Sequence, residues 1–241
     1  MGLRSKRRLR ARRAHPFLPS DGPLTVALDA TTDAVGVAIA RADTILVTRR
    51  TLHTSPKGTT LSTVLTEALA EIGATQTDIA AVVSTRGPGS FTGVRLTLMA
   101  AKALAWSLDI PLVTVDTPLV MAHQAQGPAA VALDARQGEV YLAIYDSSEN
   151  LTAPMEPLAP EDAAARIAQL PSTTALLGTG FPAYESLRAL RPGPARATDF
   201  PDPSSLLALG LVRLAAEDTD DPLTAEPLYI REFRPTAPPK A

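Results

Sequence analysis

The chain has 241 residues, 45% of them hydrophobic and 20% charged, with a mean hydropathy of +0.07. That is enough apolar sequence to bury one large core or two small ones, and too much for a disordered chain. Cysteine is absent and the three histidines (His15, His53, His123) lack the His-x-x-x-His spacing. The sequence therefore excludes disulfides, thiolate metal sites and cysteine nucleophiles, and argues against a metal-centred mechanism.

The net charge of −2 conceals an asymmetry, because Arg4, Lys6, Arg7, Arg8, Arg10, Arg12 and Arg13 all precede the first acid. Without these seven the chain keeps 16 basic against 25 acidic residues. A body that acidic repels a nucleic-acid backbone at long range, so an RNA contact falls to the tail, a local patch or a partner. Residues 1–23 are expected as a disordered, solvated basic extension. Within it, Pro16, Pro19, Ser20, Asp21, Gly22 and Pro23 follow the basic cluster, with no apolar run expected to serve as a signal peptide or membrane span. The expected location is cytoplasmic.

The first predicted element is a β-hairpin over 26–40, VALDATTDAVGVAIA, with Asp29 ending its first strand and Thr31 to Asp33 in the turn. Another strand is predicted at 44–48. A helix over 61–72 follows, since Leu61, Val64, Leu65, Ala68, Leu69 and Ile72 recur at helical spacing. The apolar run 79–85 predicts a buried strand.

It leads into Arg86-Gly87-Pro88-Gly89-Ser90-Phe91-Thr92-Gly93-Val94-Arg95, which has the look of a phosphate loop before a helix. Counting from Gly87, however, the Walker pattern finds Thr92 where it needs glycine, and Val94 follows Gly93 where it needs lysine. The dinucleotide fingerprint also finds Thr92 at its last glycine.

A helix is predicted from about 92 to 108, capped by Ser90 or Thr92, with Phe91 displayed on the loop. Ala100, Ala101, Ala103 and Ala105 keep its surface low enough for another helix to approach closely. Arg95, Met99, Lys102 and Trp106 share one face. Periodicity leaves two readings open: a docking face, or a core face with Met99 and Trp106 inside and the cations reaching for water. A short strand at 112–115 closes the first half.

Residues 131–145, VALDARQGEVYLAIY, then match 26–40 at eight of fifteen positions. This is a second hairpin with Asp134 at the same place and Arg136 to Gly138 in its turn. A helix at 161–170, a strand at 173–177, the turn Gly178-Thr179-Gly180 and helices at 182–190 and 204–217 complete the pattern. Hairpins leading into strand–helix alternation, twice, predict an α/β chain of two lobes, each a mixed sheet flanked by helices. The lobes are expected at 24–118 and 119–234, with 235–241 a flexible tail.

Paired aspartate hairpins on one cleft describe the architecture of actin, the sugar kinases and the heat-shock chaperone ATPases. In that superfamily the hairpins hold the phosphates and metal of ATP, so Asp29, Thr31, Thr32, Asp134, Arg136, Gly178 and Gly180 are candidate nucleotide residues. Their structural alternative is a pair of aspartates bonded to their own turns, with Gly178 and Gly180 as an ordinary turn.

Three segments, LTVALDATTDAVGVAIA at 24–40, RGPGSFTGVRLTLMAAKALAWSLDIPLVTVDT at 86–117 and ALDARQGEVYLAIYD at 132–146, together resemble the TsaB family. PLYIR at 227–231 resembles it more weakly. The resemblance implies an actin-like fold and a non-catalytic scaffold role in making threonylcarbamoyladenosine (t6A) in tRNA. It implies the partners TsaD, the transferase, and TsaE, a small ATPase; a homodimer when TsaD is absent; and tRNA met indirectly through the complex.

Docking is implied through Leu65 and Leu69 on the first helix and Ser90, Phe91, Arg95, Met99, Lys102 and Trp106 on the second. The resemblance implies no catalytic residue, metal or resident cofactor, and leaves open a vestigial site for Mg-ATP or Mg-ADP. Two departures stand out. Family members often carry a His-Ser-Glu-like segment where this chain reads His53-Thr54-Ser55, and Ala30 stands where the catalytic superfamily usually has glycine. The rival reading is an actin-like ATPase or kinase working through Asp29, Thr31 and Asp134. A metallopeptidase reading lacks the histidine pair it needs.

Overall fold

A computed structural model describes residues 23–52, 60–147 and 149–230. The basic extension, the segment from His53 to Thr59 and the tail from 231 onward lie outside the described residues.

The first sheet has five strands in the order β3-β2-β1-β4-β5. These are β1 (Leu24–Asp29), β2 (Ala34–Arg41), β3 (Thr44–Leu52), β4 (Ile79–Thr85) and β5 (Leu112–Val115). β1, β2 and β3 form an antiparallel meander, and β4 and β5 add parallel to β1. Alternation along the strands gives the sheet two different faces. Leu24, Val26, Leu28, Val37 and Ile39 point to α1 (Leu61–Glu71) and α2 (Phe91–Leu108), forming a core with Leu61, Val64, Leu65, Ala68, Leu69, Ala101 and Ala105. The opposite face is built from smaller residues, Ala27, Ala38, Ala40 and Val83.

The second sheet repeats the plan with four strands in the order β8-β7-β6-β9. β6 (Ala129–Arg136), β7 (Glu139–Tyr145) and β8 (Glu156–Leu158) form a meander, and β9 (Ala175–Leu177) pairs parallel to β6. One face carries α4 (Pro160–Ile167), α5 (Gly180–Ala183) and α6 (Glu185–Leu190), through Ala163, Ile167, Phe181 and Leu187. The VALDA repeat thus marks β1 and β6, the corresponding strands of two lobes of an actin-like fold.

Besides β8, which has no predicted counterpart, three features differ from the sequence expectation. First, α3 (Thr117–His123) has no counterpart among the predicted elements; Pro118 sits in its first turn, where a missing N–H costs nothing. It joins the lobes: Val120 packs against the first sheet, Met121 and Ala122 against the second. Second, the single helix expected over 182–190 is two, because Tyr184 between α5 and α6 takes an extended conformation.

Third, the lobe boundary at 234 is displaced. α7 (Pro203–Ala215) returns to the small-residue face of the first sheet, burying Leu206 and Leu207 there. Gly36 and Gly210 permit the close seat, since a Cβ at Gly36 would lie 2.6 Å from Pro203 Cγ and one at Gly210 2.3 Å from Val83 Cγ2. The strap that follows stays with this lobe: the Asp220 N–H donates to the Leu112 carbonyl and the Leu228 N–H to that of Arg86, each at 2.8 Å. Residues 203–230 therefore belong with the first lobe. Among the described residues no helix is long and apolar enough to cross a membrane.

Candidate functional site

The two hairpin tips face each other across a cleft of about 290 Å³ lined by Thr31, Thr32 and Asp33 from one side and Asp134, Arg136 and Thr179 from the other. Asp29 lies beneath the first tip and is buried. Its Oδ1 accepts from the Thr31 and Thr85 hydroxyls, both at 2.6 Å, and from the Thr31 N–H at 3.2 Å. Its Oδ2 is buried without a partner among the described residues. Burial pushes the carboxyl up from its ordinary 3.8, against the lowering effect of those hydroxyl bonds.

The glycine loop explains the burial. Ser90 donates its N–H to the Thr31 carbonyl at 2.7 Å. A Cβ on Gly89 would lie 2.2 Å from that same oxygen, and one on Gly93 would lie 2.0 Å from the Ala30 carbonyl. These glycines let the α2 entry press against the hairpin backbone, which is their structural reason for being there. Ala30 is held from the other side, its N–H donating to Thr97 Oγ1 on α2 at 2.9 Å. The Thr117 hydroxyl at the start of α3 donates to the Thr31 hydroxyl at 3.2 Å.

The second tip repeats the joint. Gly178 and Gly180 press on the Ala132 carbonyl, where added Cβ atoms would lie at 2.2 and 2.9 Å. Asp134 is more open than Asp29, yet its oxygens are also engaged. Oδ1 accepts from the Tyr184 hydroxyl at 2.7 Å and the Arg136 N–H at 2.8 Å, and Oδ2 sits 3.2 Å from Arg136 Nη1. Burial together with the Asp134 bond pushes the Tyr184 hydroxyl up to about 12. Arg136, in a left-handed turn conformation beside Gln137, also reaches Asp33 of the first tip at 3.6 Å.

These residues do not fit a Mg-phosphate group at the first hairpin. Magnesium keeps several waters and wants an ionised, approachable oxygen, whereas Asp29 is enclosed and its environment favours the neutral carboxyl. The Ser90 amide, which a phosphate would need, already serves Thr31. Among the described residues Arg136 is the one cation lining the cleft, and it is shared between Asp33 and Asp134.

The residues expected at a docking face divide. Leu65 and Leu69 are 4% and 2% exposed and pack on the sheet, so they are core; the outward face of α1 is Ser62, Thr63, Thr66 and Glu67. On α2 the buried stripe is Val94, Leu98, Ala101 and Ala105, and the face one residue round is open. Met99 and Trp106 are 62% and 57% exposed, which removes the core reading for both.

Leu96, at 60%, belongs with them; sequence reasoning missed it by taking its neighbour Arg95 as the face marker. Placing Leu96 with Met99, Ala103 and Trp106 at helical spacing would have found it. Ser90 caps the helix, accepting from the Gly93 N–H at 3.4 Å, and faces the cleft. Lys102 turns back to the strap, donating to the Ala225 carbonyl at 2.7 Å. Arg95 stacks over exposed Phe91 with its guanidinium carbon 3.8 Å from the ring centroid, and its Nε donates to the Tyr229 hydroxyl at 2.8 Å. Tyr229, from the strap, was not anticipated.

Residues 58–214 match the family model described as TsaD, tRNA N6-adenosine threonylcarbamoyltransferase. The chain is 36% identical over 173 residues to the tRNA threonylcarbamoyladenosine biosynthesis protein TsaB of Escherichia coli, covering 66% of this chain and 74% of that one. It is 30% identical over 229 residues to the TsaB of Haemophilus influenzae, covering 86% and 92%. Among solved structures it resembles YeaZ from Pseudomonas aeruginosa, with a TM-score of 0.72 and 26% identity over 86% of this chain and 99% of that one.

Proposed function

The chain belongs to the TsaB family, and from that premise we propose that it is a non-catalytic scaffold subunit of the tRNA t6A machinery, docking the transferase TsaD through the outer face of α2. The observation that carries this reading is the continuous open stripe Leu96, Met99, Ala103 and Trp106. An apolar stripe of that kind, ending in an aromatic residue, marks a partner site on an otherwise well-packed chain. The hairpin aspartates support the non-catalytic part, because Asp29 is enclosed with its Oδ1 held by Thr31 and Thr85, and Asp134 is bonded to Tyr184 and Arg136 of its own lobe. TsaE and tRNA then enter through the complex, in the cytoplasm, and a homodimer forms on the same face when TsaD is absent.

Size-exclusion chromatography of the chain with purified TsaD, with and without TsaE and nucleotide, tests the proposal. Co-elution is expected; separate elution under every condition overturns it. Calorimetry with Mg-ATP separates the rival enzyme. No tight binding is expected, and tight binding abolished by Asp29→Ala would establish the ATPase or kinase reading in its place.

A further inference from the structure

The two hairpins of the repeat match along their strands and differ at their tips, where Thr31-Thr32-Asp33 in one stands against Arg136-Gln137-Gly138 in the other. The first lobe thus carries an acid at its tip and the second a base. The second tip is also built to aim that base. A register shift between Asp134 and Arg136 puts an extra residue into β6, and Arg136 sits at a φ of 61°. Bulges redirect a side chain, and a non-glycine residue keeps a positive φ only where its surroundings fix it. Here the Arg136 N–H is held by Asp134 Oδ1, which the Tyr184 hydroxyl holds in turn. The guanidinium then reaches from Asp134 Oδ2 at 3.2 Å to Asp33 Oδ1 of the other lobe at 3.6 Å.

We propose that Asp33 and Arg136 form a salt-sensitive latch that holds the two lobes closed over the cleft. The hinge it works against lies at the cleft's base. There α3 packs on both sheets through Val120 and Met121. The Phe200 carbonyl, where the chain returns to the first lobe, accepts from Gln124 Nε2 at 3.1 Å and from Arg50 Nη1 at 3.5 Å. Buried apolar packing holds the base at any ionic strength. The mouth is bridged by two largely exposed side chains, whose attraction is weak and screened by salt. A weak bridge opposite a packed base is the arrangement of a part that opens and shuts, because it biases the lobes without locking them. The first tip is in turn fastened to its own lobe, since its Thr31 carbonyl accepts the N–H of Ser90, the cap of α2. Through that bond the latch sets where the second lobe stands relative to α2, and opening it disturbs neither core.

Because the chain has no cysteine, spin labels can be placed on Thr66→Cys of α1 and Ala165→Cys of α4, both exposed positions. Pulsed electron paramagnetic resonance on the full chain then reads the distance between the lobes. With unmutated tips at low salt one main distance is expected. Asp33→Asn and Arg136→Gln should each raise a second distance population about two- to fivefold, whereas Asp33→Glu, which keeps the charge, should not. Salt at about 1 M should do the same to the unmutated tips and add little to Asp33→Asn. Circular dichroism melts within a few degrees of wild type show that the shift reports opening and not unfolding. If the unmutated tips ignore salt, or if neither variant changes the distances, there is no latch. If Arg136→Gln changes them and Asp33→Asn does not, the arginine serves its own hairpin through Asp134, and the proposal is overturned.

Discussion

At the scale of single residues, Asp29 is a carboxyl whose native environment prefers the proton. The folded chain keeps that proton over a pH range in which the unfolded chain has released it, so this group's effect is a stability that falls as pH climbs from about 4 through the raised native value. Asp29→Asn, which keeps an Oδ1 acceptor for Thr31 and Thr85, should therefore gain on wild type as pH rises. Thermal melts from acid to neutral pH should show a melting-temperature difference that grows in favour of the variant; a constant difference would mean that Asp29 does not titrate in that window. The glycines give a second residue-level test. Gly89→Ala and Gly93→Ala drive a methyl group into a backbone carbonyl and should each cost about 2–4 kcal/mol by denaturant unfolding. Gly127→Ala, with nothing within 4 Å of the added carbon, should lie within about 1 kcal/mol of wild type.

At the scale of elements, α2 has one face committed to the sheet and one left over, and these should separate in experiment. Ser90→Ala removes the cap and should cost about 1 kcal/mol of stability. Trp106→Ala removes an exposed ring, should leave the melting temperature within a few degrees, and should weaken TsaD binding about tenfold or more in titration calorimetry. The strands and long helices were legible because their patterns are local: β4, β5 and the first hairpin lie where alternation and apolar runs put them, and α1 and α2 fall within a residue of their expected spans. What escaped was set by distant partners. Whether the open face of α2 begins at Arg95 or Leu96 depends on how the helix is rolled on the sheet, and Tyr229 meets Arg95 only because a strap 134 residues away folds back. The glycine motif was visible, but the carbonyls of Ala30 and Thr31 that require it were not.

At the scale of the whole molecule, the lobes are interlocked, since α7 crosses back to cover the first sheet and α3 packs against both sheets. A fragment ending at 118 would expose the small-residue face around Ala27, Ala38 and Val83. Expressed alone it should stay unfolded or aggregate, and co-expression with 119–230 should restore a soluble complex; a cooperative melt of the isolated fragment would contradict this. The expectation of two consecutive lobes followed from a repeat that is real in sequence, and nothing in the repeat announces that its last helix changes sides. That crossing has a consequence in time. A ribosome finishes Val115 roughly 90 residues before Pro203, about 4 to 18 seconds at ordinary elongation rates. Throughout that interval the nascent first sheet has one face without its cover, so the newborn chain, more than the finished one, is the form that needs a chaperone.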